Sequence, residues 1–160
     1  MLCRVAAAAA LATVAALLLC SGGTHAQQED GAVSHLCLGC ICEAVSGCNS
    51  TLTCTGDVCG LFRITWAYWA DSGKPVIARD SPDADGAYVR CVTDNYCAAR
   101  AVQGYMAKFA KDCNGDGAIN CDDYAAIHRL GGYGCNGNVD AAYANRYNAC
   151  RNTVSSLGPI

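Results

Sequence analysis

Residues 37–48, CLGCICEAVSGC, place four cysteines within one short stretch, and this is the tightest limit on what the chain can fold into. Leu38, Ile41 and Val45 are spaced three and four apart, which is one face of a helix. Ser46 and Gly47 end it, glycine being the usual residue just past a helix. A helix stapled this densely forces the remaining chain to wrap around it and be cross-linked back. Of the 14 cysteines, Cys3 and Cys20 flank an N-terminal apolar run within residues 1–26, leaving an even set of twelve. In an oxidising compartment that is a framework of up to six disulfides. Zinc is the rival reading of dense cysteines, but paired C-x-x-C knuckles with histidine partners are missing.

The apolar run itself reads as a secretory signal peptide over residues 1–26. Arg4 precedes an unbroken series of Ala, Leu, Val and Thr from Val5 to Leu19, and Thr24-His25-Ala26 offers a small-residue cleavage site. A membrane span needs roughly 20 apolar residues, more than this run supplies. The expectation is a secreted, extracellular chain with no membrane span, whose residues 27–160 make a single domain with its core in 37–150. Removing Arg4 takes the formal charge from −3 to −4. An acidic surface argues against nucleic acid as a partner and against attraction to anionic membranes. Asn49-Ser50-Thr51 is a glycosylation sequon, expected at the surface.

Along the chain, residues 49–60 are rich in Thr, Gly and Asn and carry Cys54 and Cys59, the pattern of a bridged hairpin. Residues 61–65, LFRIT, alternate like a short strand, and residues 66–70, WAYWA, suggest a helix stopped by Gly73 and Pro75. Residues 76–88 read as the longest irregular segment. Asp94 can cap a helix from Tyr96 through Lys111, with Val102, Met106 and Phe109 as its apolar stripe. Further helices are expected from Asp122 to Leu130, ended by Gly131 and Gly132, and from Ala141 to Cys150.

Four separated motifs, CLGCICEAVSGC, CGLFRITWAYWADSGKP, YCAARAVQGYMAKF and AAIHRLGGYGC, together resemble the invertebrate-type lysozymes, the destabilase family. The resemblance covers residues 37–150. It implies an α+β fold: a small, disulfide-rich, lysozyme-like domain, mainly helical with a small antiparallel sheet. The implied chemistry is hydrolysis of β-1,4 glycosidic bonds in bacterial peptidoglycan. Short loops suggest Cys42–Cys48, Cys54–Cys59 and Cys91–Cys97 as local bridges. The resemblance implies Cys37–Cys121, Cys40–Cys150 and Cys113–Cys135 for the rest. Marine members carry cysteines where Ser72 and Ala101 stand here, and joint loss of both fits a bonded pair.

Glycoside hydrolysis needs one carboxyl held protonated and a second held ionised. The family acid is a Glu in the pattern C-x-C-x-x-E-S-G-C, and that position is Val45 here, which carries no proton. Glu43 is a poor substitute, since two residues along a helix is about 200° of rotation; it reads better as a solvated surface residue. Counted forward from Cys54, Asp57 falls on the family nucleophile. Counted back from Cys59 it does not, because this loop is shorter, so Asp57 is either that nucleophile or a turn residue. Active members have Gln where Arg63 stands and Tyr where Leu61 stands. Phe62, Tyr68, Trp69 and His128 match family positions near the sugar-binding cleft, although aromatics of this kind are more often core. In the destabilase branch an isopeptidase activity is also implied. Ser46 with Lys74 or His128 could supply its nucleophile and base, but nothing in their spacing brings them together.

Residues 112–123, DCNGDGAINCDD, form a separate motif. Asp112, Asn114, Asp116 and Asp123 fall at positions 1, 3, 5 and 12, Ala118 offers its carbonyl at 7, and Gly117 stands at 6. This is the spacing of an EF-hand calcium loop, closer still to the loop of dockerin modules, and it would make Ca²⁺ a structural ion. The rival reading is an Asn/Gly/Asp-rich turn. No cofactor is expected for catalysis. Two functions follow: a muramidase of the lysozyme family, antibacterial or digestive, or a non-catalytic immune protein that binds peptidoglycan or chitin-like glycans on the same scaffold.

Overall fold

Helix α1, His35–Ser46, starts where the Ser34 hydroxyl accepts the Cys37 N–H and ends at Gly47, whose φ of 66° lets its N–H cap the Cys42 and Glu43 carbonyls. The computed structural model describes residues 33–157, and the signal-peptide reading of residues 1–26 lies outside them. α1 buries Cys37, Leu38, Cys40, Ile41, Cys42 and Ala44, so it is apolar on most of its circumference and sits inside the molecule.

A small antiparallel sheet follows, formed by β1 (Cys54–Thr55), β2 (Val58–Cys59) and β3 (Ile64–Thr65) in the order β1-β2-β3. Cys54 pairs with Cys59 across the hairpin, and Cys59 with Ile64. The strand expected over residues 61–65 is shorter than its alternation suggests. Leu61 and Phe62 are buried in a turn, closed by the Arg63 N–H on the Gly60 carbonyl, and Arg63 takes a left-handed φ of 54°. Gly60 has no alternative at its position, since a Cβ there would lie 1.8 Å from the Val92 carbonyl oxygen.

The remaining elements are helical: α2 (Trp66–Asp71), α3 (Ala87–Thr93), α4 (Asn95–Phe109), α5 (Cys121–Leu130) and α6 (Ala141–Val154). α3 starts within the last two residues of the segment expected to be irregular and runs on past it to Thr93. It starts at Gly86 without a side-chain cap, so the ordinary start signal is missing, and its sequence AYVRCVT is rich in β-branched residues. α4 begins one residue earlier and stops two residues sooner than expected, and α6 runs four residues past Cys150. Asp94 caps α4 through the Cys97 N–H at 2.8 Å.

Six disulfides tie the described elements together, in the expected pairings: Cys37–Cys121, Cys40–Cys150, Cys42–Cys48, Cys54–Cys59, Cys91–Cys97 and Cys113–Cys135. The first two anchor α1 to α5 and α6 across 84 and 110 residues, loops long enough that each removes about 4 kcal/mol or more of unfolded-chain entropy in the loop-closure picture. α2 lies on α4 closely enough that a Cβ on Gly104 would stand 2.3 Å from the Ser72 carbonyl oxygen. Ala101 is one turn from Gly104 on the same face. Positions 72 and 101 therefore lie along the same seam between α2 and α4, both filled by small residues. The core between these layers is built from Ile41, Ile64, Trp69, Val102, Met106 and Ile127.

Candidate functional site

One end of α1, the sheet, α2 and α5 enclose a cleft of about 480 Å³. Val45 enters it from the last turn of α1, Val58 from β2, Thr65 from β3, and Ala67, Tyr68 and Asp71 from α2. Tyr105 of α4 and His128, Arg129 and Gly131 at the end of α5 complete the wall, with Arg63 at the turn before β3. Every one of these positions follows from an element already described: Thr65 caps α2 by accepting the Tyr68 N–H, which aims the Tyr68 ring at α5.

The back of the cleft is a fixed polar chain. His128 Nε2 lies 2.9 Å from the Phe62 carbonyl oxygen, which can only accept, so that nitrogen carries the proton. Nδ1 is then the acceptor for the Tyr68 hydroxyl, 3.0 Å away. Burial lowers the His128 pKa to about 4, against a smaller opposing effect of the Phe62 hydrogen bond. Burial, then the neighbouring Tyr105 and Tyr143, raise that of the Tyr68 hydroxyl well above an ordinary phenol. Near neutral pH both groups are therefore uncharged and locked. Tyr68 also stacks on Tyr105 at 3.7 Å between ring centroids, and the Tyr105 hydroxyl accepts the Gly132 N–H. The chain is a rigid wall, not a proton shuttle.

The candidate residues divide accordingly. Val45 stands in the cleft, partly buried, at the point the family resemblance assigns to the acid. Glu43 is exposed on the other side of α1, in a separate groove with Arg146, Cys150 and Val154 of α6, and has no access to the cleft. Asp57 is exposed at the hairpin tip, where its backbone carbonyl accepts the Tyr88 hydroxyl; its side chain does not line the cleft. Tyr68 and His128 are lining residues, but two named as sugar contacts are not. Trp69 is 2% exposed with its indole N–H on the Pro75 carbonyl, and Phe62 is 4% exposed, so neither presents a face to a ligand. Both belong to the core, whereas Trp66 on the same helix α2 is exposed.

The serine chemistry has no assembly either. The Ser46 hydroxyl donates to the Leu61 carbonyl at 2.5 Å, while both His128 nitrogens are engaged by Tyr68 and Phe62. Lys74 lies in the turn after α2 and does not line the cleft. Residues that the pattern did not single out as site members are Asp71, Tyr105 and Arg129. Tyr105 was legible as the neighbour of Met106 on the buried side of α4, and Arg129 as the residue beside His128. Asp71 forms a 2.7 Å ion pair with Lys108, and Arg129 a 2.7 Å pair with Asp140.

The 112–123 loop lies apart from the cleft. Asp112 accepts the N–H groups of Gly115 and Gly117, Asn114 that of Asp116, and Asp116 that of Ala118. Asp123 is completely buried, with one carboxylate oxygen on the Cys113 N–H and the other on the Asn120 N–H, closing the capping box of α5. Among the described residues no group of three or more His, Cys, Asp or Glu is arranged to hold a metal ion. Asn49 is exposed just past α1, its amide oxygen accepting from the Thr51 N–H and hydroxyl.

A family model described as Destabilase matches residues 34–150. A lysozyme of Meretrix lusoria is 35% identical over 122 residues, covering 72% of this chain and 88% of that protein. Invertebrate-type lysozyme 6 of Caenorhabditis elegans is 34% identical over 113 residues, 68% of this chain and 80% of its own length. Among solved structures, the complex of Aeromonas hydrophila PliI with Meretrix lusoria lysozyme aligns with a TM-score of 0.60 at 35% identity, covering 74% of this chain and 91% of that one.

Two outcomes are expected from this geometry. An unfolded histidine takes up its proton near pH 6.5, but folded His128 does so only near 4. The stability it contributes is therefore fully present above pH 6.5 and is lost as pH falls towards 4, by about 3 kcal/mol at most. Urea unfolding between pH 7 and 4.5 should show this slope, and His128→Gln should flatten it; an unchanged slope in the variant would contradict the assignment. In the loop, backbone bonds and Cys113–Cys135 already hold the chain closed. Calcium held by this loop with a Kd of about 10 µM would raise Tm by about 10 °C when 1 mM is added to chelator-treated protein, and a shift under about 2 °C would favour the turn reading.

Proposed function

We propose, for a chain that belongs to the destabilase family of invertebrate-type lysozymes, that its cleft binds the β-1,4-linked glycan of bacterial peptidoglycan without hydrolysing it. The observation that carries this reading is the state of the cleft carboxyls. Val45 lines the cleft at the acid position, and the one carboxylate that lines it among the described residues, Asp71, is ion-paired with Lys108. A general acid must be protonated near neutral pH and within reach of the leaving oxygen. Glu43 and Asp57 fail on reach, and Asp71 is engaged by the Lys108 ammonium at 2.7 Å.

What remains is a preformed, concave surface whose rigid Tyr68–His128 wall and partly apolar floor suit a sugar ring. Twelve cysteines in six bridges fit an extracellular setting, as does the leader-like run at residues 1–26. Among the described residues no helix is long and apolar enough to cross a membrane. The proposed role is a secreted glycan-binding protein of the lysozyme family, acting in recognition of bacterial walls.

Sedimentation with insoluble peptidoglycan and clearing of a cell-wall suspension test the two halves separately. The chain should co-sediment, and its lysis rate should lie at least about 100-fold below that of an active relative, the scale set by loss of a general acid. Val45→Glu alone should recover little, because Arg63 in the same cleft holds a new carboxyl ionised. Val45→Glu with Arg63→Gln should recover more. Ready lysis by the unaltered chain would overturn the reading.

A further inference from the structure

Arg63 is the one charged residue lining the cleft that has no partner among the described residues. Asp71 is paired with Lys108 and Arg129 with Asp140, each at 2.7 Å, whereas the Arg63 side chain makes no hydrogen bond or ion pair. It is partly buried, and its backbone is held at φ 54°, a conformation a non-glycine residue adopts at a cost. The turn that imposes this φ also delivers the guanidinium to the cleft. Asp57, the nearest carboxylate by chain position, is exposed at the hairpin tip and forms no ion pair with it. Val45 removes the only other anion the family pattern would put there. The cleft thus holds one partly buried cation with no ion-pair partner among the described residues, whose planar fork of donors matches a carboxylate in bidentate geometry.

We propose that Arg63 makes this cleft selective for a carboxylate-bearing glycan, gripping the lactyl carboxylate that N-acetylmuramic acid exposes on strands whose stem peptides have been removed. The inference deepens the glycan-binding reading and rests on it. A neutral chain of N-acetylglucosamine fits the same wall but leaves Arg63 without a partner. An Arg lining the same cleft also favours the ionised form of a carboxyl placed near it at position 45. The two departures, Val45 and Arg63, therefore act in the same direction: they turn a cleft that cleaves into one that holds an anionic strand.

Calorimetric titration of the disulfide-intact chain with three tetrasaccharides tests this. They are the alternating N-acetylglucosamine–N-acetylmuramic acid form, its methyl ester, and neutral chitotetraose. The free acid should bind about tenfold or more tighter than the other two, as a charge-assisted bidentate contact requires. Arg63→Gln should bind all three alike, near the affinity of the unaltered chain for chitotetraose, and Arg63→Lys should keep part of the preference. Equal binding of acid and ester by the unaltered chain, a comparison that needs no variant, overturns the proposal, as does a preference that survives in Arg63→Gln. Binding of none of the three sinks the glycan-site reading itself, and this inference with it.

Discussion

The two long-range disulfides of α1 are the constraint on which the cleft depends. Cys37–Cys121 fixes the first turn of α1 to the start of α5, and Cys40–Cys150 fixes the next turn to α6. Arg146 adds a 2.7 Å hydrogen bond from α6 to the Ala44 carbonyl, close to the helix end. With α1 held along its length, the residue at position 45 has one place to go, which is the cleft. The short bridge Cys42–Cys48 and the left-handed Gly47 then turn the chain away at once, so that the sheet begins beside the helix end. A domain this small has little core to position a site by packing alone, and covalent ties take over part of that work.

Within the cleft, shape and charge are supplied by different residues. The wall gives the shape: Tyr68 on His128, His128 on the Phe62 carbonyl, Tyr105 behind them. Its groups are neutral because burial disfavours their charged forms, and neutral groups in a fixed hydrogen-bonded chain supply shape without proton transfer. The charges that remain nearby are paired except at Arg63. In the proposed reading the cleft suits an anion, and position 45, where the family pattern has its acid, carries no carboxyl.

Much of the fold was legible in the sequence. Caps at Asp94 and Gly47, the apolar spacing in α1 and α4, and the cysteine spacing all report local or covalent rules, and these hold wherever the chain is placed. Three features were hidden because tertiary contacts decide them. α3 has no side-chain cap and forms against α4 and the sheet. The stretch Leu61–Arg63 has strand-like alternation, yet Gly60 must pass within reach of Val92 and the chain turns instead. Trp69 and Phe62 carry aromatics of the kind that line sugar clefts, and only packing reveals that both face inward. The loss at Val45 was visible from motif alignment; the isolation of Arg63 was not, since it depends on where Asp71, Arg129 and Asp57 find themselves.

The central claim is that the cleft holds peptidoglycan glycan intact. Its most direct test is to mix isotope-labelled protein with the alternating N-acetylglucosamine–N-acetylmuramic acid tetrasaccharide, follow amide shifts, and weigh the sugar by mass spectrometry over several days. The account predicts saturable shifts at Thr65, Ala67 and Gly131, which line the cleft, with the tetrasaccharide mass unchanged. Appearance of disaccharide products, or shifts confined to the groove beside Glu43 on α6, would contradict it.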